Sequence, residues 1–270
     1  MSVTKLDISL EQYEIGLSGA VPDRGDWSEP AMDRGILEFV ALFSGLVFKY
    51  GGRIVHGSHP TFTPVILRQA RAQAPNRSRK PITLVMSALW AADLKPDDIE
   101  SLTDVSELVV TKKIGVGGVA DADTRNRSLT AMREVLVDAQ NVMVAVGGKM
   151  HSGDGIIPGV GEEIQLAQKK GIPQFLIAGL GGFARKLATD LTPSSLHNSL
   201  SRKANANLFS ARDVSASVNL LFEHLARSRP LAKSALQPVK WNPGLKMILD
   251  HRDGTIRREV TQYIDRAIVA

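Results

Sequence analysis

Two adjacent carboxylates, Glu162 and Glu163, directly follow the segment Pro158-Gly159-Val160-Gly161. Glycine lets a ligand approach the backbone closely. A helix that follows a glycine loop points its free N–H groups and its positive dipole end at the loop, which suits an anion, phosphate above all. We therefore predict a candidate nucleotide site here, with Glu162 and Glu163 beside it in the first turn of a helix.

A strand, a glycine loop, a helix and a second strand are predicted around these carboxylates. Residues 142–146 form a continuous apolar run, which is typical of a parallel strand covered on both faces. A helix is predicted over residues 162–170, and a strand over residues 172–178. In open α/β sheets, ligands bind beyond the carboxyl ends of the strands, where helix N-termini attract anions. The glycines predicted to line this crevice are Gly147, Gly148, Gly159, Gly161, Gly181 and Gly182.

The same residues also have an interpretation that involves no ligand. Glycines make tight turns between strands and helices, because they adopt backbone conformations that other residues avoid. Glutamates in the first turn of a helix complement the positive end of the helix dipole. From the residues alone, both interpretations stay open.

Two further strand ends carry polar groups. A strand over residues 13–17 is followed by a predicted turn with Ser18 and Gly19, and a strand over residues 53–56 is followed by a loop with hydroxyl and imidazole groups. Such groups bind a ligand or cap a helix. The candidate ligand-binding residues of this second loop are Gly57, Ser58, His59 and Thr63. Arg133 is a candidate phosphate ligand, because a guanidinium pairs well with phosphate.

The whole chain alternates between strand and helix patterns. About six strands are predicted, most of them followed by a helix, which indicates an α/β fold of Rossmann-like type with a mostly parallel sheet flanked by helices. Residues 1–191 are predicted to form the nucleotide-binding domain. Residues 192–270 are predicted to be a mainly helical C-terminal extension that packs on this domain or on a second subunit. Within the extension, a polar loop is expected at 192–207 and helices at 211–227 and 255–268.

Composition excludes several classes of protein. The 270 residues include no cysteine, so disulfides, thiolate zinc sites and a cysteine nucleophile are absent. The net charge of +5 is dispersed and aromatic residues make up 5%, so nucleic-acid binding is not expected. No apolar run approaches the roughly 20 residues of a membrane span. A cytoplasmic protein is expected, without membrane attachment, metal site or cofactor, and as a homo-oligomer.

The order and spacing of several short segments resemble the SLOG superfamily. This Rossmann-like group includes the DNA-processing SMF proteins and the lonely-guy cytokinin-activating enzymes. The resemblance covers roughly residues 13–191 and is closest to bacterial SLOG proteins of defence and nucleotide signalling. The segments are Leu17-Ser18-Gly19-Ala20-Val21-Pro22, Gly52-Arg53-Ile54-Val55-His56-Gly57, Ser128-Leu129-Thr130-Ala131-Met132-Arg133, Val146-Gly147-Gly148, Pro158-Gly159-Val160-Gly161-Glu162-Glu163 and Gly181-Gly182.

The resemblance implies a pocket for a nucleotide, NAD or an ADP-ribose-like signal. Lonely-guy enzymes carry the motif P-G-G-x-G-T-x-x-E, in which the glycines and threonine bind phosphate and the glutamate acts at the N-glycosidic bond. Here Pro158, Gly159 and Gly161 fit the motif if one of its residues is missing. In that alignment Val160 replaces a glycine, Glu162 replaces the threonine, and the spacing to an acid is shorter than in the lonely-guy enzymes. Two functions follow. The first is a binding module that acts as a sensor or effector in nucleotide signalling or defence. The alternative is an N-glycosidase acting on NAD or a nucleoside monophosphate. The resemblance implies that Glu163 or Glu162 either binds ribose hydroxyls or stabilises the positive charge at the anomeric carbon, with Arg24 or Arg133 on phosphate.

Overall fold

The computed structural model describes residues 8–23, 25, 29–75, 77–151 and 157–230. Six parallel strands form one sheet in the order β4-β3-β2-β1-β5-β6. The α/β fold class predicted from the sequence is therefore confirmed. The strands are β1 (Glu14–Ala20), β2 (Arg53–His56), β3 (Ile82–Ser87), β4 (Ser106–Thr111), β5 (Val142–Gly147) and β6 (Gln174–Ile177).

Helices cover both faces of this sheet, because the strands carry apolar side chains on both faces and each face must be shielded from water. On one face, Ile15 and Leu17 of β1 belong to a core that includes Phe39 and Phe43. On the other face, a second core contains Met143. The helices are α1 (Pro30–Lys49), α2 (Thr63–Gln73), α3 (Ala88–Ala91), α4 (Pro96–Thr103), α5 (Ala122–Asp138), α6 (Gly159–Lys169), α7 (Gly182–Asp190), α8 (Arg202–Ser210) and α9 (Val214–Arg227), with a 3-10 turn at Pro193–Leu196.

The strand order places a topological switch point between β1 and β5. From β1 the chain builds one half of the sheet through β2, β3 and β4, and then returns to β5 and β6 on the other side of β1. The two strands are paired to their carboxyl ends, where Gly19 aligns with Val146 and Ala20 with Gly147. Connections diverge at such a point and leave a crevice, which is the usual ligand site of open α/β sheets.

Three local predictions were wrong. Ser18 and Gly19 lie in β1 and not in a turn, because pairing with β5 extends the strand through them. Gly159 and Gly161 lie in the first turn of α6, which begins before the predicted helix. Residues 192–207 contain a 3-10 turn and most of α8 where a polar loop was expected. Ser201 caps α8, because its side chain accepts a hydrogen bond from the Ala204 N–H.

The segment after α7 packs along β6, the last strand on its side of the sheet. The Asn198 side chain donates to the Gln174 carbonyl over 2.5 Å. At the other end of β6, the Leu208 carbonyl accepts from the N–H groups of Ala178 and Gly179. The predicted division of the chain at residue 191 stays a prediction, and the helix predicted over 255–268 lies outside the described residues. Within the described ranges, no helix combines the length and apolar character needed to cross a bilayer.

Candidate functional site

Ser18 and Glu163 meet beside the switch point. Ser18 projects from β1 and is 4% exposed, and its enclosed hydroxyl makes no hydrogen bond of ordinary geometry to the described residues. It nevertheless lies close enough to the Glu163 carboxylate on α6 to lower the pKa of that group. Burial outweighs this effect and, with the nearby charge of Glu162, raises the pKa of Glu163 overall, although Arg133 opposes the rise.

The neighbouring Glu162 has its two carboxylate oxygens occupied. Thr130 Oγ1 donates to one oxygen over 2.5 Å, and Arg133 Nη1 donates to the other. Arg133 Nε lies 3.8 Å from Glu163 Oε1, so the same guanidinium also faces the second carboxylate. The side chains of Arg133 and Glu163 are only 15% and 13% exposed. Glu163 is therefore the carboxylate with hydrogen-bonding capacity left for a ligand, and Arg133 is engaged within the protein.

The glycines of this edge allow β5, α6 and α7 to pack closely. Gly182 adopts a φ of 65°, and a Cβ at this position would lie 2.5 Å from the Gly147 carbonyl carbon. A Cβ on Gly148 would lie 2.7 Å from Val160, and one on Gly161 would lie 2.8 Å from the Phe183 ring. These contacts explain the glycines without a ligand, so their predicted ligand contacts stay a prediction.

Two helices begin at this edge without a side-chain cap. The N-cap positions are Pro158 for α6 and Gly181 for α7, and neither makes a side-chain cap hydrogen bond. The first N–H groups of a helix have no partner within the helix and carry its positive dipole end. In α7, the Phe183 N–H is satisfied by the Gly148 carbonyl. The two helix starts can accept an anion beyond the ends of β5 and β6.

The loop after β2 is held in place by its own polar groups. Ser58 adopts a φ of 55°, which is unusual for a residue with a side chain, and donates to the Val85 carbonyl over 3.2 Å. Thr63, the first residue of α2, donates to the His59 carbonyl over 2.8 Å. Gly57 adjoins Leu136, which lies 3.1 Å from where a Cβ would be. Two of the predicted ligand-binding hydroxyls are thus already used to shape the loop.

His59 lies near charged side chains from two other loops. Lys149, after β5, pairs with Asp23, after β1, over 3.2 Å. The charges of both groups act on the His59 imidazole, as does the ring of His56. Burial, together with His56 and Lys149, lowers the pKa of His59 to about 4, whereas Asp23 raises it. Loops after three neighbouring strands therefore converge on one side of the switch point.

A family comparison identifies this architecture. The SLOG cluster2 family matches residues 34–217, which is more than half of the chain. The chain belongs to the SLOG cluster2 family. The SLOG resemblance inferred from short segments is thereby confirmed. Membership supports a nucleotide-related function for the protein.

Other comparisons add little to the family assignment. A solved structure, described as the X-ray structure of the structural genomics target TM1055, has 14% sequence identity and a TM-score of 0.46. The match covers 78% of this chain and 99% of that chain. No curated protein matches the sequence.

In this SLOG cluster2 protein, many of the predicted site residues come together at the carboxyl edge. Ser18 and Gly19 on β1 adjoin Gly147 on β5, and Gly148 follows directly after β5. Arg133 and the two glutamates lie beside them. Arg24 is outside the described residues. Sequence reasoning missed Thr130 and Lys149. Thr130 could have been found, because it precedes Arg133 by three residues and therefore shares its helix face. Nothing in the sequence connects Lys149 with His59, because their approach depends on the strand order.

Proposed function

We propose that this SLOG cluster2 protein binds a nucleotide or a ligand derived from NAD or ADP-ribose beyond the carboxyl ends of β1 and β5, where their connections diverge. Binding would make it a sensor or effector in nucleotide signalling or defence. The observation that carries the proposal is the enclosed Ser18 hydroxyl, which has no ordinary hydrogen bond and faces Glu163. A buried hydroxyl and a buried carboxylate that face each other at a sheet's ligand crevice are suited to a polar ligand.

The ligand's parts fit the chemistry of this edge. Ser18 and Glu163 suit ribose hydroxyls, since a carboxylate accepts and a serine hydroxyl both donates and accepts. The starts of α6 and α7 suit phosphate. Glu162 would repel a phosphate at α6, but its ion pair with Arg133 compensates that charge. A phosphate close to α6 is therefore compatible with the two glutamates.

Ligand-induced stabilisation tests the proposal. Thermal unfolding is measured with NAD, ADP-ribose and AMP. A ligand at about 100 times its dissociation constant adds about 2.7 kcal/mol to the free energy of unfolding. Ser18→Ala is expected to remove most of this stabilisation, with little effect on the free protein. Ser44→Ala is the matched control, because Ser44 is a buried serine on α1 that donates to the Val40 carbonyl.

Two results would contradict the proposal. One is that none of the three compounds raises the unfolding temperature of the wild type. The other is that Ser18→Ala responds to the ligand as Ser44→Ala does, which would place the ligand elsewhere.

A second candidate function is hydrolysis of an N-glycosidic bond, with Glu163 stabilising charge at the anomeric carbon. The observation that favours it is the environment of Glu163, which is buried, has a raised pKa and faces Ser18. Glu162 is less suited, because Thr130 and Arg133 occupy its oxygens. This preference between the two glutamates goes beyond what the sequence resolved.

Base release from NAD and nucleoside monophosphates distinguishes the enzyme from the binding module. If the protein is an enzyme, Glu163→Gln abolishes release, because a neutral amide cannot stabilise the developing positive charge. Glu162→Gln is then expected to retain part of the activity. Chromatography of released nicotinamide or base measures both. Stabilisation of the wild type by ligand without any base release leaves the binding function alone.

A further inference from the structure

The ring of His56 is fixed in one tautomer. Its Nδ1 lies 2.9 Å from the Leu17 carbonyl of β1, and its Nε2 lies 3.2 Å from the His59 N–H. A carbonyl can only accept and an N–H can only donate, so the proton of His56 is on Nδ1. The ring therefore ties the loop after β2 to β1. Its complete burial lowers the pKa of His56 and keeps the ring neutral.

The ring of His59 is fixed in the opposite tautomer. Its Nδ1 faces the Thr61 N–H at 3.3 Å and the Thr61 hydroxyl at 3.0 Å. The Val21 N–H donates to the same hydroxyl over 3.3 Å, so the hydroxyl proton is free to turn towards His59. Nδ1 is thus an acceptor, and the proton of a neutral His59 is on Nε2. Among the described residues, no group accepts from this Nε2–H.

The surroundings keep His59 uncharged at neutral pH. The pKa of about 4 means that the ring binds a second proton only in acid. The groups that face it are His56, Lys149 and Asp23, which come from β2 and from the loops after β5 and β1. Lys149 and Asp23 form an ion pair. This corner thus offers a neutral imidazole donor beside an ion pair.

The strand order sets where this donor lies relative to the rest of the site. Along the edge the strands run β2, β1, β5, β6, and neighbouring strands are about 4.8 Å apart. His59 follows β2, Ser18 is on β1, and the uncapped helix starts follow β5 and β6. The donor, the proposed ribose-binding groups and the proposed phosphate-binding helix starts therefore follow one another over roughly 14 Å, three strand spacings. With its phosphate at the helix starts and its ribose at Ser18, a nucleotide laid across the edge would have its base at the β2 end.

We propose that His59 is a specificity-determining residue that donates its Nε2–H to a neutral acceptor on the nucleobase, a ring nitrogen or a carbonyl oxygen. This inference rests on the proposed function and adds the orientation of the ligand to it.

Two amide variants separate the roles of the two ring nitrogens. His59→Asn places an amide oxygen near the position of Nδ1, so it keeps an acceptor for the Thr61 N–H and removes the outer donor. His59→Gln places an amide N–H near the position of Nε2 and keeps that donor. Dissociation constants are measured by calorimetry for ADP-ribose and for adenosine, which has the base without phosphate.

We expect His59→Asn to weaken both probes by a similar factor of about 5, as for the loss of one hydrogen bond. His59→Gln is expected to stay closer to the wild type. The ratio of the His59→Asn and wild-type dissociation constants is expected to stay constant from pH 5.5 to 8, because a neutral His59 does not titrate there. In this ratio, the effects of other titrating groups such as Glu163 on the dissociation constants cancel, because these groups titrate in both proteins. In the free protein, ¹⁵N spectra should show the proton on Nε2 throughout this range.

The opposite results overturn the inference. One is that His59→Asn loses affinity for ADP-ribose alone or binds both probes as the wild type does. Another is that the ratio of the His59→Asn and wild-type dissociation constants grows as the pH falls. A third is that the ¹⁵N spectra show the His59 proton on Nδ1. If the wild type binds both probes and His59→Asn binds them equally, this inference fails alone. If neither probe binds the wild type and the compounds of the stabilisation test also have no effect, the proposed function fails with it.

Discussion

At the scale of single residues, the glycines of the carboxyl edge show what sequence patterns can and cannot resolve. Their clustering after strands predicted a ligand crevice, and the residues do lie at strand ends or in the first turns of helices. Gly148 and Gly161, however, are close to Val160 and Phe183. These neighbours lie on other elements, so no pattern along the chain predicts them. Local sequence predicted where the glycines are, and tertiary packing explains why they are glycines.

Gly182→Ala tests this packing role. Gly182 and Gly171 have nearly equal φ values of 65° and 64°, but a Cβ on Gly171 would meet nothing within 4 Å. Gly171→Ala is therefore expected to cost only the left-handed backbone, about 1 kcal/mol. Gly182→Ala is expected to cost about 2 kcal/mol or more beyond that, because its Cβ would press on the Gly147 backbone. Urea unfolding of both variants gives the comparison, and equal losses would contradict it.

At the scale of elements, the amino ends of the strands are joined by buried charge. Arg53, the first residue of β2, has a side chain only 4% exposed. Its guanidinium lies 3.5 Å from Glu14 of β1 and 3.1 Å from Glu107 of β4, and donates to Thr83 of β3 over 2.8 Å. Four neighbouring strands are thus tied together at the edge opposite the candidate site. The sequence analysis did not identify this network, because its members are far apart in the chain.

Arg53→Met is expected to lower the free energy of unfolding by about 3 kcal/mol, since it removes the buried cation that lies between Glu14 and Glu107, although Glu14 keeps its pair with Arg79. Arg71→Met is the matched control. Arg71 pairs with Asp104 over 2.6 Å, but both side chains are about 40% exposed. This exposed pair is expected to contribute about 1 kcal/mol or less. Chemical denaturation measures both variants, and a loss for Arg53→Met no larger than the control's would show that the network contributes little.

At the scale of the whole molecule, the chain after β6 returns to the start of the sheet. Tyr13 precedes β1, and its hydroxyl lies 2.9 Å from the carbonyls of both Leu225 and Ser228 at the end of α9. The Tyr50 and Phe222 rings also meet, with centroids 4.9 Å apart. A helix at 211–227 was predicted from its periodicity. The packing of this helix against α1 and the start of β1 could not be predicted. Periodicity shows that a helix has an apolar face, but it does not show which elements cover that face.

The Tyr13 contact makes stability sensitive to alkali. Burial raises the pKa of Tyr13 to about 12, above the roughly 10 of an exposed tyrosine. As the pH rises, the unfolded chain loses the Tyr13 proton before the folded protein does. The contribution of the Tyr13 hydroxyl to the free energy of unfolding is therefore complete below pH 10 and is lost as the pH rises towards 12. Between pH 9 and 11, the denaturation midpoint of the wild type is expected to fall more than that of Tyr13→Phe. Parallel curves for the two proteins would contradict this expectation.

The covered side of β6 limits how copies of this chain can associate. An open edge strand presents free N–H and C=O groups on which a strand from another molecule can pair. Asn198 and Leu208 already occupy both ends of that side. A strand from a second copy would have to displace them before it could lengthen the sheet there. Self-assembly of the predicted homo-oligomer is therefore expected to use other surfaces than continuation of the sheet through β6.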